Sequence, residues 1–176
     1  SPVSGGTCQP DILSMMHALK DTDYTLDLDY EKIILAVDAF ETAMKDYFFP
    51  PEAKMVSPMV TLSPMPGGEL AANTMMMREA GTLHLFPQVI KEMAEVVSRG
   101  GFATSVTPVS QFYFQQAYLN VTQGRWKKIN PQYGNMVLGY FGRTPVPAEP
   151  EIVKLASQQL GKTVFTYNPL DILDPG

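Results

Sequence analysis

Apolar side chains recur every three or four residues in several stretches of the chain, the spacing that places them on one face of an α-helix. The two clearest sets are Tyr30, Ile33, Ile34, Val37, Phe40, Met44, Tyr47 and Phe48, and then Phe86, Val89, Ile90, Met93, Val96 and Val97. No pair of segments alternates apolar and polar residues as two adjacent strands would. The pattern therefore predicts a mainly α fold.

Proline and glycine set the limits of the predicted helices, because proline suits the first helical position and breaks a helix interior, and glycine suits the position after the last turn. The stretch from Pro51 to Gly68 is rich in proline and predicts an extended connection. The helices run from Pro10 to about Lys20, from Tyr30 to Pro50, through PGGELAANTMMMREAG to Gly81, through LFPQVIKEMAEVVSRGG, from about Thr107 through SQFYFQQAYLNV, and through EPEIVKLASQQL to Gly161.

Composition narrows the class of protein. The 176 residues suffice for one domain with its own core, with 45% hydrophobic and 18% charged residues and a formal charge of −5. Lysine and arginine are scattered along the chain, so we expect no nucleic-acid partner. No apolar run approaches the roughly 20 residues that span a bilayer, and no signal peptide is visible. A cytoplasmic location is expected, in agreement with the single cysteine.

Several short motifs resemble ligand sites but lack the residues, or the position relative to a helix, that those sites require. The acidic run from Asp21 to Tyr30 has Leu26 where a calcium loop needs glycine, and Lys32 where it needs glutamate. The stretch ASQQLGKT ends a predicted helix, whereas a phosphate-binding loop must begin one. We therefore predict that Gly161 and Lys162 cap that helix. No histidine has a partner at metal-ligand spacing, and no metal site is predicted.

The opening SPVSGGTCQP leaves the roles of one thiol and one hydroxyl open. If Cys8 were a nucleophile, the protein would be a cysteine hydrolase. A nucleophilic thiol needs a base or cationic neighbour to become a thiolate, and the chain has only His17 and His84 as imidazoles. Thr7 lies just before the first predicted helix, where it fits an N-terminal cap. Its hydroxyl can equally donate and accept a hydrogen bond, which is what a proton relay requires.

Four ordered motifs resemble one known family. SGGTCQP, MPGGELAANTMMMREAG, VTPVSQFYFQQAYLNV and MVLGYFGRTPVPAEPEIVKLA are similar to the carboxyltransferase component shared by pyruvate carboxylase, oxaloacetate decarboxylase α and transcarboxylase. The resemblance implies a (β/α)8 barrel followed by a helical cap, the conserved carboxylase domain. Residues 1–20 would be the last βα loop and helix of the barrel, and residues 21–176 the helical domain.

The same resemblance implies a reaction and its residues. The family moves a carboxyl group between N-carboxybiotin and pyruvate or oxaloacetate, and a threonine in the SGxTxQP loop relays the proton. Thr7 matches that threonine, and Gln9, Ser110 and Gln111 match positions near the biotin pocket. Pyruvate carboxylases usually have lysine where this chain has Gln111, which favours the decarboxylase or separate-subunit branch.

The implied cofactors and partners lie outside these residues. The family's divalent metal, such as zinc, cobalt or manganese, is held by barrel residues that have no match here. Biotin would arrive on a carboxyl carrier domain, and the expected assembly is a homodimer of the full-length enzyme. By itself the chain is expected to be inactive. The alternative from another class is a catalytically silent helical module that docks a partner through the helices after Gly67.

Overall fold

In the computed structural model, which describes residues 9–49, 51, 65, 67–168 and 170, all regular secondary structure is helical. The mainly α prediction is confirmed for this part of the chain. The described residues form seven α-helices and a short 3₁₀ helix at Leu83–Leu85. The α-helices are α1 Ile12–Ala18, α2 Tyr30–Ala43, α3 Gly67–Glu79, α4 Phe86–Arg99, α5 Val109–Gln123, α6 Pro131–Val137 and α7 Pro150–Leu160.

The hydrophobic core is centred on α4 and α5, with α6 packed on α5 and on α7. The apolar positions predicted for α4 are confirmed, because Val89, Ile90, Met93 and Val96 are all buried. Of the three consecutive methionines in α3, only Met77 is buried, whereas Met75 and Met76 are exposed. Three neighbouring positions on one helix point to different sides, so the helix can bury only one of them.

Helix α6 was not predicted from the sequence. Asn130 caps it by accepting hydrogen bonds from the N–H groups of Gln132 and Tyr133, and Pro131 occupies the first turn. A Cβ atom on Gly134 would lie 2.5 Å from Cδ1 of Leu160 in α7. The missing side chain therefore allows α6 and α7 to pack closely.

Buried polar side chains hold the loop between α5 and α6. The Gln116 amide donates to the carbonyl oxygen of Lys128 at 3.0 Å, and its oxygen accepts from the Asn130 N–H at 2.7 Å. Asn120 accepts from the Trp126 N–H at 3.1 Å and donates to Glu92 at 2.8 Å. These bonds satisfy loop backbone groups that would otherwise be buried without partners.

The ends of α1, α2 and α7 test the predicted boundaries. Asp11 is the N-cap of α1, since its carboxylate accepts from Leu13 and Ser14, so Pro10 lies before the helix and not at its first position. Helix α2 ends at Ala43, well before Pro50, which leaves Tyr47 and Phe48 exposed beyond it. Gly161 has a left-handed φ of 63° directly after α7, which confirms its capping role.

Candidate functional site

The candidate site lies where the first turns of α3 and α5 meet. Glu69 is in the first turn of α3, and Asn73 follows four residues later on the same side of that helix. Ser110 and Gln111 are the second and third residues of α5. The two residues that the family resemblance places beside biotin are therefore adjacent, and they face a carboxylate and an amide of α3.

Two parallel hydrogen bonds join the helices at this point. The Ser110 hydroxyl donates to Oε1 of Glu69. The Gln111 amide nitrogen donates to Oδ1 of Asn73 at 3.0 Å, and the Asn73 amide donates in turn to the sulfur of Met65 at 3.8 Å. Ser110 and Asn73 are 0% and 2% exposed, so these contacts are inside the protein.

Two polar atoms of this cluster are buried and have no hydrogen-bond partner. They are Oε2 of Glu69 and Oε1 of Gln111, and both are acceptors. In the described part of the chain only Nε1 of Trp126 shares this condition. A buried acceptor without a donor is costly, and most such atoms in native proteins have an explanation in function or in a bound group.

The chain segment between α4 and α5 fixes the position of the site. Gly101 has a φ of 88°, and an added Cβ would collide with the Val146 carbonyl and the Thr144 side chain. The Tyr113 hydroxyl donates to the Ala103 carbonyl at 3.0 Å, and burial raises the pKa of this phenol to about 12. This anchors the segment to α5 one turn after Ser110.

The other predicted site residues are placed differently. Thr7 and Cys8 lie outside the described residues. Gln9 is exposed, and among the described residues no hydrogen bond joins it to Ser110 or Gln111. Because Asp11 is the N-cap of α1, the interpretation of Thr7 as the cap of that helix is wrong.

Glu69 and Asn73 were missed by sequence reasoning. Their spacing of four residues after the Gly67–Gly68 pair could have shown that both lie on one face of a helix, but nothing in the sequence indicated which helix this face meets. The contact with α5 spans 41 residues for Ser110–Glu69 and 38 for Gln111–Asn73. Single-sequence periodicity carries no information on such pairs.

Metal ligands are not grouped in the described part of the chain. No three histidine, cysteine, aspartate or glutamate side chains there come close enough to hold an ion. The same residues include no helix that is long and apolar enough to cross a membrane.

A family match covers two thirds of the chain. The family described as the conserved carboxylase domain matches residues 60–176. The matched range includes α3 to α7 and therefore all four residues of the cluster.

Curated relatives match nearly the whole chain. The methylmalonyl-CoA carboxyltransferase 5S subunit of Propionibacterium freudenreichii is 33% identical over 92% of this chain and 32% of its own length. A pyruvate carboxylase subunit of Methanocaldococcus jannaschii is 35% identical over 99% of this chain and 31% of its own length. The chain thus spans about a third of each relative.

Solved structures agree with the fold. The carboxyl transferase domain of Rhizobium etli pyruvate carboxylase, solved with pyruvate and biocytin, matches with a TM-score of 0.80 and 24% identity, over 100% of this chain and 31% of that domain. The multifunctional pyruvate carboxylase of the same organism matches with a TM-score of 0.80 and 24% identity, over 99% of this chain and 18% of its length. At this identity the likeness establishes the fold alone.

Proposed function

We propose that this chain is part of a biotin-dependent carboxyltransferase acting on pyruvate or oxaloacetate. The chain belongs to the conserved carboxylase domain family. The relatives named above are a carboxyltransferase and a pyruvate carboxylase subunit. Residues 1–20 would complete the barrel that holds the substrate, and residues 21–176 would form the helical domain beside it. The remaining two thirds of the enzyme would come from the barrel.

One observation carries this proposal. Ser110 and Gln111, which the family resemblance assigns to the biotin pocket, are fixed side by side by α3, and the cluster has two buried acceptors without donors. A cyclic urea has N–H groups that such acceptors require. When bound, biotin supplies the ureido nitrogen that carries the carboxyl group. Ser110, Gln111 and Gln9 would orient that ring.

Thr7 is the proposed proton relay. During carboxylation of pyruvate its hydroxyl would accept a proton from the methyl carbon while donating its own proton to the ureido nitrogen, so that Thr7 ends each step as a neutral hydroxyl. Position matters more than acidity here, because a hydroxyl held between two groups need not ionise. The roles of Thr7 and Gln9 rest on the match of SGGTCQP to the family motif.

The divalent metal and the partners belong to the rest of the proposed enzyme. The described residues include no group of metal ligands and do not fit a metal site, so no step is assigned to a metal through them. The proposed partners are the remainder of the barrel and a biotin carboxyl carrier domain, in a homodimer of the full-length enzyme.

The second candidate is a catalytically silent helical module. It would dock a partner through the helices after Gly67, and it is favoured by one observation: large apolar side chains such as Phe102 and Phe141 are exposed in that part of the chain. Exposed apolar patches of this kind are typical of surfaces that meet another protein. Under this hypothesis Thr7 has no chemical role.

Thr7→Ala in the complete carboxyltransferase separates the two candidates. The assay is decarboxylation of oxaloacetate with free biotin present. We expect a loss of about a hundredfold or more in kcat, the usual contribution of a positioned proton-transfer group. Thr7→Ser keeps the hydroxyl and should retain much of the rate, and Thr25→Ala, at an exposed threonine, should retain all of it. An unchanged rate in Thr7→Ala, with metal content and folding intact, would refute the relay.

A further inference from the structure

We propose that the groove between the end of α6, α7 and residues 164–168 binds a monocarboxylate with an unbranched apolar tail. The carboxylate pairs with Arg143, and the tail lies along Leu138 and Val153, which also line the groove. The groove has a volume of about 660 Å³, within the range of about 300–1,000 Å³ that is usual for small-molecule sites. It shares no described residue with the cluster of Ser110 and Gln111. The inference therefore adds a second site and does not depend on the proposed function.

Hydrogen bonds and one close backbone contact hold the walls of the groove in place. The Phe165 N–H donates to the Leu138 carbonyl oxygen at 2.7 Å, and the adjacent Gly139 has a φ of 88°. A Cβ on Gly139 would lie 2.7 Å from the Phe165 carbonyl oxygen, so a glycine is needed where the two segments meet. In the loop after α6, the Thr144 hydroxyl donates to the Val146 carbonyl oxygen at 2.6 Å. A ligand therefore binds walls that are already ordered, which lowers the entropic cost of binding.

Arg143 is the one charged residue among the described residues that line the groove. The others are apolar, such as Val153 and Val164, or neutral and polar. No ion pair or hydrogen bond within the described part of the chain engages the Arg143 side chain. The side-chain oxygen of Asn168, another lining residue, accepts from the Leu170 N–H at 3.1 Å, so its amide nitrogen remains as a donor. The groove thus offers donors to an anion and apolar surface to the rest of the ligand.

The single guanidinium decides which class of anion fits. A guanidinium matches a carboxylate in geometry, because two parallel N–H groups can donate to its two oxygens. A carboxylate carries one negative charge, which Arg143 balances by itself. A phosphate monoester carries about −1.5 to −2 charges at neutral pH and would keep uncompensated charge beside apolar walls. The charge of the groove therefore favours a monocarboxylate.

The apolar walls select for a tail on that carboxylate. Leu138 is fully buried, and its exposed neighbour in the groove, Val164, extends the apolar surface toward the solvent. Each methylene that moves from water to apolar surface strengthens binding by up to about fourfold. An acid as short as acetate gains almost none of this. The groove consequently favours acids with tails of several carbons.

Calorimetric titration of the full-length protein with butyrate, hexanoate and octanoate tests this inference. We expect the affinity to rise with each added pair of methylenes, by up to about fifteenfold, until the groove is filled. Arg143→Gln should weaken octanoate binding about tenfold, as for the loss of a charge-assisted hydrogen bond. Lys154→Gln is the matched control, because it removes an exposed lysine of α7 that is not among the lining residues, and it should bind octanoate as the wild type does.

Val164→Glu is the second variant. It introduces a carboxylate into the groove at a side chain that is 50% exposed, so the fold should be retained. It should weaken octanoate binding at least as much as Arg143→Gln, since like charges repel. Equal octanoate affinity in the wild type and in both variants would overturn the site. An affinity that does not rise from butyrate to octanoate, or no binding of octanoate to the wild type, overturns it as well. The proposed function stands in all these cases, because its test is the activity of Thr7→Ala.

Discussion

Residues 9–49 and residues 67–168 contain helices of similar length and similar periodicity, and only the second region has a core. In the first region no residue is buried, and neither α1 nor α2 contributes a core side chain. In the second region α4 alone buries Val89, Ile90, Met93 and Val96. An amphipathic pattern therefore predicts a face that can be buried, and the presence of a partner decides whether it is.

The two regions also differ in how their charged and polar groups are held. Burial raises the pKa of Tyr113 in the core to about 12. In the first region the shifts go the other way, because hydrogen bonds from the Ser14 hydroxyl and N–H lower the pKa of Asp11, and the Lys32 N–H lowers that of Asp29. Both aspartates are N-caps, and Asp29 is exposed whereas Asp11 is half-buried. Local hydrogen bonding, not burial, organises residues 9–49.

The largest expected difference between the regions comes from one substitution made in each. Leu138→Ala removes a side chain that is 0% exposed and should lower the free energy of unfolding by about 2–5 kcal/mol. Leu35→Ala, at 67% exposure in α2, should change it by no more than about 0.5 kcal/mol. Chemical denaturation of the two variants measures both values. A comparable loss in free energy of unfolding for Leu35→Ala would mean that α2 packs against another surface in solution. The two regions would then not differ in the way described.

A smaller effect is expected at two matched N-caps. Asn130 and Asp11 each accept two backbone N–H groups, at the starts of α6 and α1. Asn130→Ala should lower the global free energy of unfolding by about 1 kcal/mol, because α6 is part of the core. Asp11→Ala should reduce only the helicity of α1, as seen by amide exchange. Equal losses in the global free energy of unfolding for the two variants would show that the two regions unfold together.

Part of the fold could be predicted from the sequence. Helices α4 and α7 have apolar positions at regular spacing and end at glycine, so their faces and ends follow from local rules. Helix α6 was missed because it has only seven residues and contains Gly134, a poor helix former. Asn130 followed by Pro131 is a capping signal that could have indicated it.

The candidate site could be predicted only in part. Ser110 and Gln111 were identified through the family resemblance. Glu69 and Asn73 become visible only when α3 meets α5, since their role comes from hydrogen bonds across about 40 residues of sequence. Local sequence rules describe single elements, and a site made between two elements requires the packing that brings them together.

The smallest expected effect is acid fraying of α1. Because hydrogen bonds from Ser14 lower the folded-state pKa of Asp11, this cap stabilises α1 above the unfolded pKa of about 3.9 and loses its effect as the pH falls through the lower folded value. The Asn130 cap is an amide and does not titrate, so α6 should keep its first turn over the same range. Amide NMR signals of Ser14 and Tyr133 report the two caps. Ser14→Ala removes the strongest hydrogen bond to Asp11 and should move the fraying of α1 to higher pH. If both signals instead moved together, the acid transition would be global, and residues 9–49 would fold as one unit with the core.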